Sequence, residues 1–228
     1  EPGGFASPEE LRASRELTLE ALARAARETN IFVFTLGLTE CWRDSEGFEY
    51  AVCPGTVAGC FDPSRHHFVN QDVGEIVADM RAALKLLRTV NPKIRVLLTV
   101  SPVPLTATAS GDHVLVATSR SKATLRVAAG MLAEGSRFVD YFPSYEIITA
   151  PPYEGRFFAP NKRSVLPEGV EHVMSQFFAS QAAMAAEDGN PERRARRMAR
   201  RMAAADDAPE APQGMRRRKG RAKNVTPA

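Results

Sequence analysis

Cysteine, histidine and the large aromatics are all scarce in this chain. Its 228 residues include 3 cysteines, 4 histidines, 1 tryptophan and 4 tyrosines. Cys41, Cys53 and Cys60 have neither metal-ligand nor redox spacing, which argues against a thiolate-built metal centre or a redox motif. Their odd number within one short region points to reduced thiols in a cytoplasmic setting, where they fill loops as small residues. His66 and His67 are adjacent, point in different directions and make a poor metal pair without further ligands. We therefore expect no metal and no cofactor. No apolar run reaches transmembrane length, and the visible start carries no signal-peptide pattern.

What is present fits one sizeable folded core, with 44% hydrophobic and 25% charged residues. The charge is unevenly placed. From Pro191 onward there are 12 Arg and Lys against 4 Asp and Glu, while the preceding residues hold 18 against 23. The basic balance thus belongs to a tail, and the body before it is acidic. We divide the chain into an α/β domain over 1–187 and a basic, disordered tail over 188–228 with a short helix around Arg193–Arg201. Such a tail can touch RNA, DNA or an acidic surface through nonspecific charge, or simply remain solvated. No aromatic residue interleaves with its charges, so base stacking is not expected.

In the body, Val96-Leu97-Leu98-Thr99-Val100 is an apolar run stopped by Ser101-Pro102-Val103-Pro104. Proline cannot extend a ladder, so this reads as a central parallel strand opening into a loop. Ile31–Leu36 is a second such run, ending in Gly37-Leu38-Thr39-Glu40. Between them, Val73, Ile76, Val77, Met80, Leu84 and Leu87 recur at helical spacing behind an Asp72–Glu75 capping box. Strand, loop, helix and strand in this order predict a parallel crossover. Ser7-Pro8-Glu9-Glu10 starts an earlier helix reaching about Thr29. Further helices are expected from about Ser119 to Glu134 and from about Pro167, with a strand near Phe138–Pro143. Loops at the carboxyl ends of such strands build ligand sites in open α/β sheets.

Four segments, Thr35–Arg43, Leu98–Leu105, Val114–Lys122 and Tyr141–Ile147, resemble the GSCFA family, a relative of the SGNH/GDSL hydrolases. The likeness extends over roughly Ile31 to Phe178. It implies a flavodoxin-like three-layer α/β sandwich with a parallel sheet, and esterase or acyltransferase activity on an acylated small molecule or glycan. The Gly-Ser-Cys-Phe-Ala motif that names the family is missing, and the chain begins at Glu1. We expect a fragment without its first strand or strands, lacking the nucleophile and inactive as it stands. A degenerate domain that binds a glycan or a protein is the alternative.

By the same resemblance, Gly37-Leu38-Thr39-Glu40 occupies the place of the loop that donates to the oxyanion, with Thr39 where an asparagine would stand. Thr39 could instead cap the following loop, and Glu40 could pair with Arg43. The Asp-x-x-His pair of the relatives falls on Asn161 and Ser164, neither of which is a base at neutral pH. His113, just beyond the Ser-Pro-x-Pro loop, is the replacement base we favour; as an ordinary loop histidine it would bond to backbone. His172 is expected to pack or to face solvent. Ser101 stands at the strand end, Ser121 and Lys122 at an expected helix start that favours anions, and Tyr145 and Glu146 beyond the third strand. Arg163 is suited to a carboxylate or phosphate.

Overall fold

The computed structural model describes residues 4–188 apart from Ala58, so the basic tail lies outside the described residues. The chain divides into two units, 1–177 and 178–228. All of the sheet and the candidate site lie in the first.

Helix α1 (Pro8–Glu28) begins where the capping residues place it. Ser7 Oγ accepts from the Glu10 N–H at 3.2 Å, while the Glu10 carboxylate accepts from Ala6 N–H at 2.8 Å, one residue earlier than in a strict capping box. No residue of α1 is buried. Its end is tied down by Asn91, whose side-chain amide donates to the carbonyls of Ala26 (3.2 Å) and Thr29 (2.8 Å). This contact delivers the chain into strand β1 (Ile31–Leu36).

Two short strands follow, β2 (Glu40–Arg43) and β3 (His67–Asn70), paired antiparallel in a separate two-stranded sheet. Trp42 lies opposite Phe68, and its ring meets Phe61 and Phe68 edge-on at 5.3 and 5.5 Å. Helix α2 (Val73–Val90) carries the expected capping box in both directions, Asp72 and Glu75 each accepting from the other's N–H at 2.9 Å. Strand β4 (Arg95–Val100) then runs parallel to β1, with Ile31 opposite Arg95 and Leu36 opposite Val100.

Helix α3 (Val114–Glu134) and strand β5 (Val139–Tyr141) complete a parallel sheet of order β1-β4-β5. As its sequence suggested, β4 is the middle strand. Val96, Leu98 and Val100 are buried against Ile76, Val77 and Leu84 of α2 and Leu125, Ala128, Ala129 and Leu132 of α3. Successive strand residues face opposite sides, so Thr99 points away from that layer and bonds Ser144, which opens helix α4 (Ser144–Thr149). A helical turn at Pro151–Tyr153 leads to α5 (Pro167–Asp188). The first turn of α5 packs Gly169 against Phe157, Val165 and Ile148. This is the α/β class expected, a parallel sheet flanked by helices in the manner of a flavodoxin-like sandwich.

Two expectations need correction. Helix α3 starts at Val114, not near Ser119, because His113 caps it: Nδ1 accepts from Leu115 N–H at 3.3 Å. Ile31–Leu36, read as a buried-type run, lies at the sheet edge with Ile31 and Val33 each 56% exposed, since only β4 pairs with it.

Candidate functional site

A cleft of about 640 Å³ opens at the carboxyl end of β1. Its walls come from Gly37 and Leu38 after β1, from β2 and the segment that follows it, and from the loop after β4. That loop exists because Pro102 and Pro104 force the chain out of the sheet. Ser101 N–H donates to Leu36 O at 2.9 Å, the last bond of the parallel ladder, and Ser101 Oγ accepts from Val103 N–H at 3.2 Å as the chain turns.

A buried polar cluster holds the Gly37–Glu40 loop from behind. Thr39 is 1% exposed; its N–H donates to Ser121 Oγ at 3.0 Å and its hydroxyl donates to Asn70 Oδ1 at 2.7 Å. Lys122, 2% exposed, donates from Nζ to Gly37 O at 2.7 Å. Burial, with no carboxylate beside it, pulls its ammonium down to about 8. Glu40 accepts from Thr108 Oγ1 at 2.6 Å, and Thr108 in turn shares a 2.8 Å contact with Ser110. Five of the residues singled out from sequence, Gly37, Thr39, Glu40, Ser121 and Lys122, therefore meet at one strand end.

Their roles differ from those expected. Ser121 and Lys122 lie well inside α3, not at its start, so no helix N-terminus offers them an anion. Thr39 spends both donors inside the protein and leaves none for an oxyanion. A carboxylate only accepts, so Glu40 suits a substrate hydroxyl or amine rather than an oxyanion. Its partner is Thr108; Arg43 pairs instead with Glu49 at 3.6 Å.

Other candidates stand elsewhere. Glu146 is held by Arg126 Nε at 2.5 Å and by the Tyr141 hydroxyl at 2.8 Å, with the Arg126 guanidinium over the Tyr141 ring. Burial and the Glu146 contact raise the Tyr141 hydroxyl above its usual range. Tyr145 packs against the core. Asn161 and Ser164 bond each other, Nδ2 to Oγ at 2.9 Å, within a tight turn whose Lys162 has φ 57°. Arg163 reaches the Ser-Pro-x-Pro loop, donating to Pro104 O at 3.2 Å, and its Nε is buried without a partner. His113 is an exposed cap; with Nδ1 accepting, the neutral ring carries its proton on Nε2. His172 packs between Tyr153 and Phe157.

Sequence reasoning missed Cys41, Trp42, Tyr50, Gln71 and Thr108 on the cleft wall. Trp42 and Tyr50 carry the only usable signal, being large aromatics beside the Gly37–Glu40 loop. Among the described residues no group of three or more His, Cys, Asp or Glu could hold a metal ion. No helix among them is long and apolar enough to cross a membrane.

A parallel α/β sheet with its cleft at a strand's carboxyl end defines the class. The GSCFA family model matches residues 5–177, and the chain belongs to the GSCFA family. No curated protein and no solved structure matches it.

Proposed function

We propose that this GSCFA domain serves acyl-ester chemistry, hydrolysis or transfer of an acyl group on an acylated, carbohydrate-type substrate in the cytoplasm. The observation that carries the proposal is the cleft at the carboxyl end of β1, beside the loop that follows the adjacent parallel strand β4, where open α/β sheets place their ligands. In this role Gly37 and Leu38 form the wall nearest the acyl group, and a Cβ at Gly37 would enter open space rather than protein. Glu40 and Gln71 accept from or donate to substrate hydroxyls. Lys122 positions the loop by holding the Gly37 carbonyl.

A nucleophile and base within hydrogen-bond reach are needed for turnover, and no histidine lines the cleft among the described residues. That specific observation favours a second proposal, a domain that binds an acylated glycan without turning it over. Hydrolysis of p-nitrophenyl acetate and of acetylated sugars by the protein with any sequence upstream of Glu1 included, measured beside His113→Ala, separates the two. Turnover lost in the folded variant makes His113 the base, and turnover kept retains the enzyme without it. No turnover, with binding of acetylated sugar intact, leaves the binding domain.

A further inference from the structure

We propose that the cleft selects substrates whose alcohol or sugar part carries a positive charge, an amine or quaternary ammonium, and rejects phosphorylated or carboxylated ones. The inference rests on the cleft being the substrate site. Glu40 and Glu49 line it, and among the described residues no lysine, arginine or histidine does. Glu49 is partly compensated by Arg43 at 3.6 Å. Among the described residues Glu40 has no such partner: Oε1 accepts from the neutral Thr108 hydroxyl, which leaves Oε2 for a ligand. Lys122 lies behind Gly37, buried and turned to the carbonyl, so it does not serve as counter-ion to Glu40.

One further feature points the same way. Trp42 and Tyr50 line the cleft beside these carboxylates, and aromatic faces attract ammonium groups through their negative quadrupole.

Trp42 is the sole tryptophan, so its fluorescence reports the cleft directly. The test titrates the full chain with glucosamine and choline, beside glucose, 3,3-dimethylbutanol and glucose 6-phosphate. We expect saturable changes with the two cations and binding of their neutral counterparts weaker by about tenfold, the value of about 1.4 kcal/mol. Glu40→Gln keeps an acceptor for Thr108 while removing the charge, and should erase that preference with the melting temperature unchanged. Glu49→Gln serves as the second variant and should reduce it less. Equal binding of neutral and cationic probes, tighter binding of the phosphate, or no response to any cation would overturn the proposal. Turnover of neutral acetyl esters is scored separately, so acyl chemistry can fail while charge selection stands, or the reverse.

Discussion

The Thr39 hydroxyl donates to Asn70 Oδ1 at 2.7 Å and so fastens the carboxyl end of β1 to the last residue of β3. Thr39 is almost wholly buried, so removing the acceptor strands its hydroxyl. Asn70→Ala should cost about 1–3 kcal/mol in denaturant unfolding, the usual penalty for an unpaired buried group. Thr39→Val in the Asn70→Ala background should cost less than it does alone. Additive losses across that double-mutant cycle would show the contact to be energetically empty.

Lys122 gives a pH signature. Its folded-state value, about 8, lies below the ordinary 10.5, so the unfolded chain binds more protons in that interval. Stability therefore rises as pH climbs from about 8 toward 10.5. Cys41, raised from 9.0 to about 11, works in the opposite direction above pH 9. Comparison with Lys122→Met cancels the thiol: the parent should gain stability relative to the variant across this range. Parallel stability curves would refute the burial of the ammonium.

Gly169 is required by space rather than by backbone angle. A Cβ there would sit 2.9 Å from Phe157 Cβ and 3.0 Å from Val165 Cγ1. Gly169→Ala, ordinarily favourable in a helix, should instead lower stability by about 1–3 kcal/mol. A higher melting temperature in the variant would mean that the packing at the start of α5 is looser than described.

Thiol reactivity should separate the cysteines. Cys53 and Cys60 are exposed, whereas Cys41 is partly buried and its thiol raised to about 11. Iodoacetamide near neutral pH, followed by peptide mass spectrometry, should label Cys41 last. Glu49→Gln should quicken it by removing a charge that opposes the thiolate.

The scaffold was legible where local and global signals agreed. An apolar run closed by prolines gave β4, and the Asp72–Glu75 box with its 3.6-residue spacing gave α2. The start of α3 was not, because Val114 and Val116 are β-branched and look unlike a first turn. Burial of Ala117, Ser121 and Leu125 further along outweighs that propensity. The misplaced start also misplaced Ser121 and Lys122, which hold the backbone of the Gly37–Glu40 loop. Strands β2 and β3 are four residues each and owe their pairing to aromatic contacts across the ladder, which no local pattern announces. Of the site, Gly37 to Glu40 was readable from its place after a strand. Thr108 was not: its tie to Glu40 depends on how the loop after β4 folds back.

The edge position of β1 has a kinetic side. Among the described residues its one partner in the sheet begins at Arg95, so this chain, refolding from denaturant, must close a long loop before Ile31–Leu36 gains a ladder bond with β4. Throughout that interval, neighbouring chains compete with β4 for the same amides and carbonyls. Recovery after dilution from denaturant should therefore depend on protein concentration, falling as chains become crowded. Val33→Lys, which places a charge on an exposed apolar site of that strand, should flatten the dependence. Refolding of this chain is a race between its own distant strand and a stranger's.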